Sequence, residues 1–127
     1  MGFLSDAYAN TMLDTAFAGT VYIALSTTTP TNTGTNVTEP SGNNYSRVAI
    51  LTSYWAAAAS RSKSNSAAVV FPEASGSWGT VTHFALYSAA TGGTFLGWSA
   101  LTNSRSVTAG LSPVFAVGAL VVTIPGT

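Results

Sequence analysis

Apolar and polar residues change places in short blocks along this chain, and the blocks are mostly the length of strands. The clearest runs from Ser77 to Tyr87. Gly79 gives the backbone freedom for a turn. From Thr80 onward β-branched and aromatic residues take over. Phe84 and Leu86 fall on one face, and Val81, Ala85 and Tyr87 on the other. With apolar groups on both faces, this strand belongs in a sheet covered on both sides.

The same reading extends to the rest of the chain. Phe3 to Phe17 has helical spacing: Leu4, Tyr8 and Met12 recur at i, i+4 and i+8, and Leu13 and Phe17 form an adjacent stripe. Ser5 or Asp6 is placed to cap the start, and Gly19 follows the end. The helix is expected to pack on a sheet edge, with an arm reaching to a neighbour as the alternative. Val21 to Ser26 is a strand. Thr27 to Asn44 contains Pro30, Gly34, Pro40 and Gly42 among many Thr and Asn, which predicts a long exposed or partner-contacting loop. Further strands are expected over 45–54, 67–71, 94–100 and 114–124. Residues 55–59 read as a helical turn or a continuing strand. Turns are expected at Arg61–Asn65, Ala90–Gly93, Asn103–Arg105 and Ala109–Gly110, and Pro125–Gly126 ends the last strand. Strands at roughly ten-residue intervals indicate an all-β fold. The expected form is a single domain over 1–127: an antiparallel β-sandwich or a jelly-roll-like barrel with a short N-terminal helix.

Composition narrows the partners. Charged residues make up 6% of the 127 residues, against 46% hydrophobic, and the net charge is zero. A surface so poor in charge suits packing against other protein. There is no Lys/Arg cluster to meet a phosphate backbone, so nucleic acid is not expected as a partner. No apolar run reaches the roughly 18 residues of a membrane helix, and no secretory signal is recognisable. The chain has no cysteine, which removes disulfides, thiolate zinc sites and cysteine nucleophiles.

Candidate chemistry is sparse. The one histidine, His83, sits among apolar neighbours in the central strand and reads as a core or interface residue with a hydrogen-bond partner. The four carboxylates are scattered, with no metal-loop spacing. Glu39 and Glu73 each lie beside a proline in a loop and read as solvated charges rather than a glycosidase pair. No nucleophile elbow or phosphate-binding loop is present. No catalytic residue, metal ligand or cofactor site is therefore predicted. Trp98 sits mid-strand, as a core residue would. Trp78 sits at a turn and is expected to be partly exposed, anchoring the loop or touching a partner.

Several segments together resemble a family of small tailed-bacteriophage virion proteins, often labelled tail-fibre-like. They are Val21 to Ser26, Glu39, Tyr45-Ser46-Arg47, Asn65 to Pro72, Ser77 to Phe84, Gly92-Gly93, Ala100-Leu101-Thr102 and Val107 to Gly110. The run from Trp78 to His83 with Phe71-Pro72 upstream is the most specific part. The resemblance implies an all-β, non-enzymatic virion component, assembled in the bacterial host cytoplasm. It supplies no binding-site motif. Because the chain has no shaft, repeat or heptad pattern, the first expectation is a capsid decoration (cement) protein bound to the major capsid protein or another virion protein. A homo-oligomer, for instance a trimer, would cover the two-faced strands. The alternative is a receptor-binding module of the tail fibre or tail tip. Exposed, clustered tryptophans would favour that module, and buried ones decoration. An envelope enzyme is a distant third reading. Partner contacts are expected at Trp78, Tyr45, Arg47, Pro30, Asn36 and Glu39, and Arg47 and Arg105 are candidates for inter-subunit ion pairs.

Overall fold

The computed structural model describes residues 4–125. Helix α1 spans Asp6–Ala16. Eight strands follow: β1 Val21–Ser26, β2 Val48–Ile50, β3 Ser62–Ser64, β4 Val69–Val70, β5 Gly79–Tyr87, β6 Phe95–Val107, β7 Val114–Phe115 and β8 Val121–Thr123. One sheet has the order β2-β1-β5-β6, and two ribbons pair β3 with β8 and β4 with β7. The all-β class with one N-terminal helix is as the sequence indicates. β5 runs antiparallel to both β1 and β6. The four-stranded sheet ends at β2 and β6 and does not close, so a barrel is excluded.

The chain forms two compact units. One gathers the described parts of 1–20, 50–69 and 115–127, and the other gathers 21–49 and 70–114. In the first unit, the Ser5 hydroxyl caps α1 by accepting the Tyr8 N–H. Phe3, where the sequence pattern begins the helix, lies outside the described residues. The stripe that packs is Ala9, Leu13 and Phe17, while Leu4, Tyr8 and Met12 are exposed. The two stripes sit one residue apart in sequence, and only one can face inward. Phe17 meets Trp55 with ring centroids 4.9 Å apart. Asn65 is buried and organises the surrounding backbone. Its amide donates to the Ala67 and Ala116 carbonyls, and its side-chain oxygen accepts the Leu120 N–H. Arg61 gathers both ends of the chain, donating to the carbonyls of Leu4, Ile124 and Pro125.

Lys63, also buried, places Nζ 2.6 Å from Asp14 Oδ1 and 3.0 Å from the Ala56 carbonyl. The bond from Lys63, helped by the Ala58 N–H, holds the Asp14 carboxyl below its ordinary value of 3.8. A lowered folded-state pKa means that the unfolded chain takes up the proton first as acid is added. The stability from this pair is therefore full above that ordinary value and is lost as pH falls through the lowered one. Acid titration of unfolding should show Asp14→Asn with a flatter loss of stability below about pH 4 than the parent chain. Parallel curves would contradict this.

Six expected elements differ. The run 45–54 is extended only over β2, and Thr52–Tyr54 forms a short 3-10 turn. Residues 55–59 make neither helix nor strand; Trp55 bridges Asn65, and Ala59 bridges Ser62. The turn expected at Arg61–Asn65 lies earlier, at Ser60 and Arg61, both at positive φ, and Ser62–Ser64 is a strand. The strand expected over 67–71 shortens to β4. The turn expected at Asn103–Arg105 is instead a bulge inside β6. Val81 pairs with Arg105 and His83 with Ala100, so Thr82 alone on β5 stands against 101–104. The last strand, expected over 114–124, is broken by a turn at Gly118 into β7 and β8. Its expected terminator lies partly beyond view, since Gly126 is outside the described residues.

In the second unit, Ile23, Leu25, Phe84 and Leu86 are buried on one face of the sheet, and Ala24, Val81 and Ala85 on the other. The central strand is thus covered on both faces, as its composition requires. The hairpin between β5 and β6 falls where Gly92-Gly93 predicts it, with the Ser88 N–H donating to the Thr94 carbonyl. A Cβ on Gly93 would come within 2.9 Å of Ala89, and its φ of +77° is open mainly to glycine.

Candidate functional site

The long loop and the hairpin tip meet at one guanidinium. Arg47 donates from Nε and Nη2 to the Glu39 carboxylate, at 3.1 and 2.8 Å, a bidentate pair. Its Nη1 donates to the carbonyls of Ala89 and Gly92, each at 2.9 Å. The guanidinium carbon lies 3.7 Å from the centre of the Tyr87 ring, in cation–π contact. One side chain thus ties the end of the loop, the hairpin and the sheet together. The Glu39 carboxylate raises the Arg47 pKa still further, chiefly through its hydrogen bond. Burial raises the Tyr87 pKa.

Tyr45 completes this clamp. Its hydroxyl donates to Glu39 Oε1 at 2.7 Å and accepts the Leu25 N–H of β1 at 3.0 Å. Burial raises its pKa strongly, so the phenol keeps the proton it donates. Below it lies an aromatic cluster. Tyr45 meets Trp78 edge-on, with centroids 5.2 Å apart, and both rings pack near Phe71. The Trp78 indole N–H donates to the Asn43 carbonyl at 2.8 Å. The Asn43 amide donates to the Ser77 carbonyl, and the Asn44 amide to that of Glu73.

The loop itself is built from hydroxyls. Ser26, fully buried at the end of β1, accepts the N–H groups of Thr28 and Thr38 and donates to the Thr28 carbonyl. It closes the loop between Thr28 and Thr38. The Thr31 hydroxyl bonds those of both Thr33 and Thr35 across the tip. Two further contacts fix the loop to the sheet. The Trp98 indole donates to Asn32, and Gly34 lies so close to Phe95 that a Cβ would approach it to 2.9 Å.

The six residues expected to touch a partner therefore separate. Glu39, Tyr45 and Arg47 come together, and with Pro40, Ser46 and the tip Ala90-Thr91-Gly92 they line an open cleft of about 360 Å³. Trp78, Pro30 and Asn36 stand outside it. Trp78 is only 4% exposed, against the expected partial exposure. Its turn is folded back beneath the loop, so it anchors the loop. Pro30 is buried and Asn36 exposed, with its amide on the Thr29 carbonyl. Arg47 forms an ion pair within the chain, with Glu39. Tyr87, Asn43 and Ser26 are members of this network that the sequence reading left out. Only the Gly-Gly hairpin hinted at carbonyls turned outward.

The polar atoms of the clamp bond mainly one another, and no nucleophile stands beside a base there. His83 Nδ1 lies 2.7 Å from the Thr82 hydroxyl, and its ring packs near Trp98. Among the described residues no three His, Asp or Glu side chains gather to hold a metal ion. A sheet braced by such contacts, with hydroxyls in place of surface charge, has the make-up of a structural module. The chain belongs to the Podophage GP4 fiber I protein gp80 family, whose model matches residues 3–123. It is thus a member of a phage fibre structural family and a virion component. A search of curated proteins finds no match.

Proposed function

We propose that this protein is a non-enzymatic structural part of the tail fibre. The observation that carries this reading is the family match across nearly the whole chain. The braced loop and the internally satisfied clamp agree with it, because they supply rigidity rather than a reacting pair. The tryptophans bear on the finer role. Trp55 and Trp78 are buried, and Trp98 is half-buried with its N–H on Asn32. A platform for stacking sugars would present these rings to solvent, so contact with neighbouring virion proteins is favoured over a tryptophan-lined glycan site. The buried tryptophans are what capsid decoration, the first expectation from the sequence, would also show, but the family match is to a fibre protein and supports the fibre reading instead.

Copy number per purified virion, measured by quantitative mass spectrometry against the major capsid protein, tests the placement. A few copies, with antibody label at the tail in electron micrographs, are expected. Hundreds of copies in fixed ratio to the capsid protein, with label over the head, would overturn the fibre reading and restore decoration. Absence from the particle would overturn both.

A further inference from the structure

The chain has four acidic and four basic side chains. Six of the eight are paired internally, as Glu39–Arg47, Asp6–Arg61 and Asp14–Lys63. Among the described residues this leaves one acid, Glu73, and one base, Arg105. Both are exposed.

Glu73 stands on an apolar ribbon. The segment 70–74 runs beside 110–114, held by the Phe71 N–H on the Pro113 carbonyl, the Ala74 N–H on Leu111 and the Gly110 N–H on Ala74, at 2.8 to 2.9 Å. Inward-facing Phe71 and Ala74 fix its pitch. Outward it presents Val70, Leu111 and Val114, which are 54%, 48% and 55% exposed. A rigid apolar surface edged by one carboxylate is the anatomy of a protein contact. Arg105 stands elsewhere, on β6, whose partner in the sheet is β5 alone. Residues 102–106 around it are exposed, and Thr102, Ser104 and Ser106 supply hydroxyls.

We propose that the occupant of this ribbon is a second copy of the chain, with Glu73 of one copy against Arg105 of the next. The charge complement carries the choice. A partner for the ribbon needs a cation beside a surface otherwise free of charge, and the chain's own β6 offers one. Self-pairing leaves none of the eight charges unmatched, and zero net charge sets no long-range repulsion against it. The apolar ribbon supplies the attraction, and the ion pair sets the register.

The test is charge exchange in the full-length protein, followed by sedimentation equilibrium at low salt. The parent chain is expected to show a mass that rises with concentration above the 12.9 kDa of one chain. E73R and R105E each bring like charges together and should weaken association about tenfold or more. The double variant E73R/R105E should recover to within about threefold of the parent. V114S should weaken association without touching a charge. Thermal melts of all four variants check that folding is intact, which exposed positions permit. A parent that stays monomeric throughout, or a double variant as weak as the single ones, would overturn the proposal. Neither result bears on where the protein sits on the virion, so the fibre reading stands or falls separately.

Discussion

Arg47→Ala should cost about 3 kcal/mol of folding stability, within the range for removing one partner of a buried ion pair. The Arg47 side chain is 9% exposed and that of Glu39 25%, so solvent relieves only part of the loss. Three groups lose this partner at once: the Glu39 carboxylate, which keeps only the Tyr45 hydroxyl, and the carbonyls of Ala89 and Gly92. The melting temperature should fall on the order of 10 °C for a domain of this size. Amide exchange should quicken at residues 88–94, because the hairpin tip loses its tie to the loop. Arg47→Lys should fall in between. An ammonium keeps the charge but cannot place planar donors on a carboxylate and two carbonyls together. The source of the penalty is also open to test. If a stranded carboxylate dominates, adding Glu39→Gln to Arg47→Ala should restore part of the stability. A double variant no more stable than Arg47→Ala would show that the lost carbonyl bonds and the Tyr87 contact matter more.

The clamp was half legible in the sequence. Glu39, Tyr45 and Arg47 stand out in the sequence as expected partner contacts, but Glu39 reads there as a solvated charge, whereas the structure pairs it with Arg47 and Tyr45. Their meeting with Tyr87 and the hairpin carbonyls was not legible. It depends on antiparallel pairing that brings residues forty or more positions apart to one place, and local pattern carries no information on that. The central strand was read well because its side-chain period is short and its turn residues are unambiguous. The bulge in β6 was misread as a turn. Asn103-Ser104-Arg105 has turn composition, and only the pairing to β5 shows that the strand continues past it. The helix and both of its stripes are legible, including the Leu13 and Phe17 that pack inward, but the spacing alone does not say which stripe is buried.

Trp78→Ala should be as damaging as any core truncation here, at about 4 kcal/mol. The indole fills the space between Tyr45 and Phe71, and few side chains in this small unit are large enough to fill a cavity of that size. Trp78→Phe separates packing from hydrogen bonding. It keeps most of the aromatic contact and removes the N–H that donates to the Asn43 carbonyl. That carbonyl is not orphaned, since it also accepts the Ser75 N–H at 3.1 Å. The cost of Trp78→Phe should therefore be roughly 1–2 kcal/mol, from lost volume and one hydrogen bond. Urea unfolding of both variants provides the comparison, with unchanged slopes expected if both remain two-state. A Trp78→Ala variant within about 1 kcal/mol of the parent would mean that the ring is not the anchor. The consequence would then reach the loop. Tyr45 packs on this ring and the Asn43 carbonyl accepts its N–H, and the Tyr45 hydroxyl in turn holds Glu39, so the positions of Glu39 and Arg47, and with them the hairpin tip, depend on its staying in place.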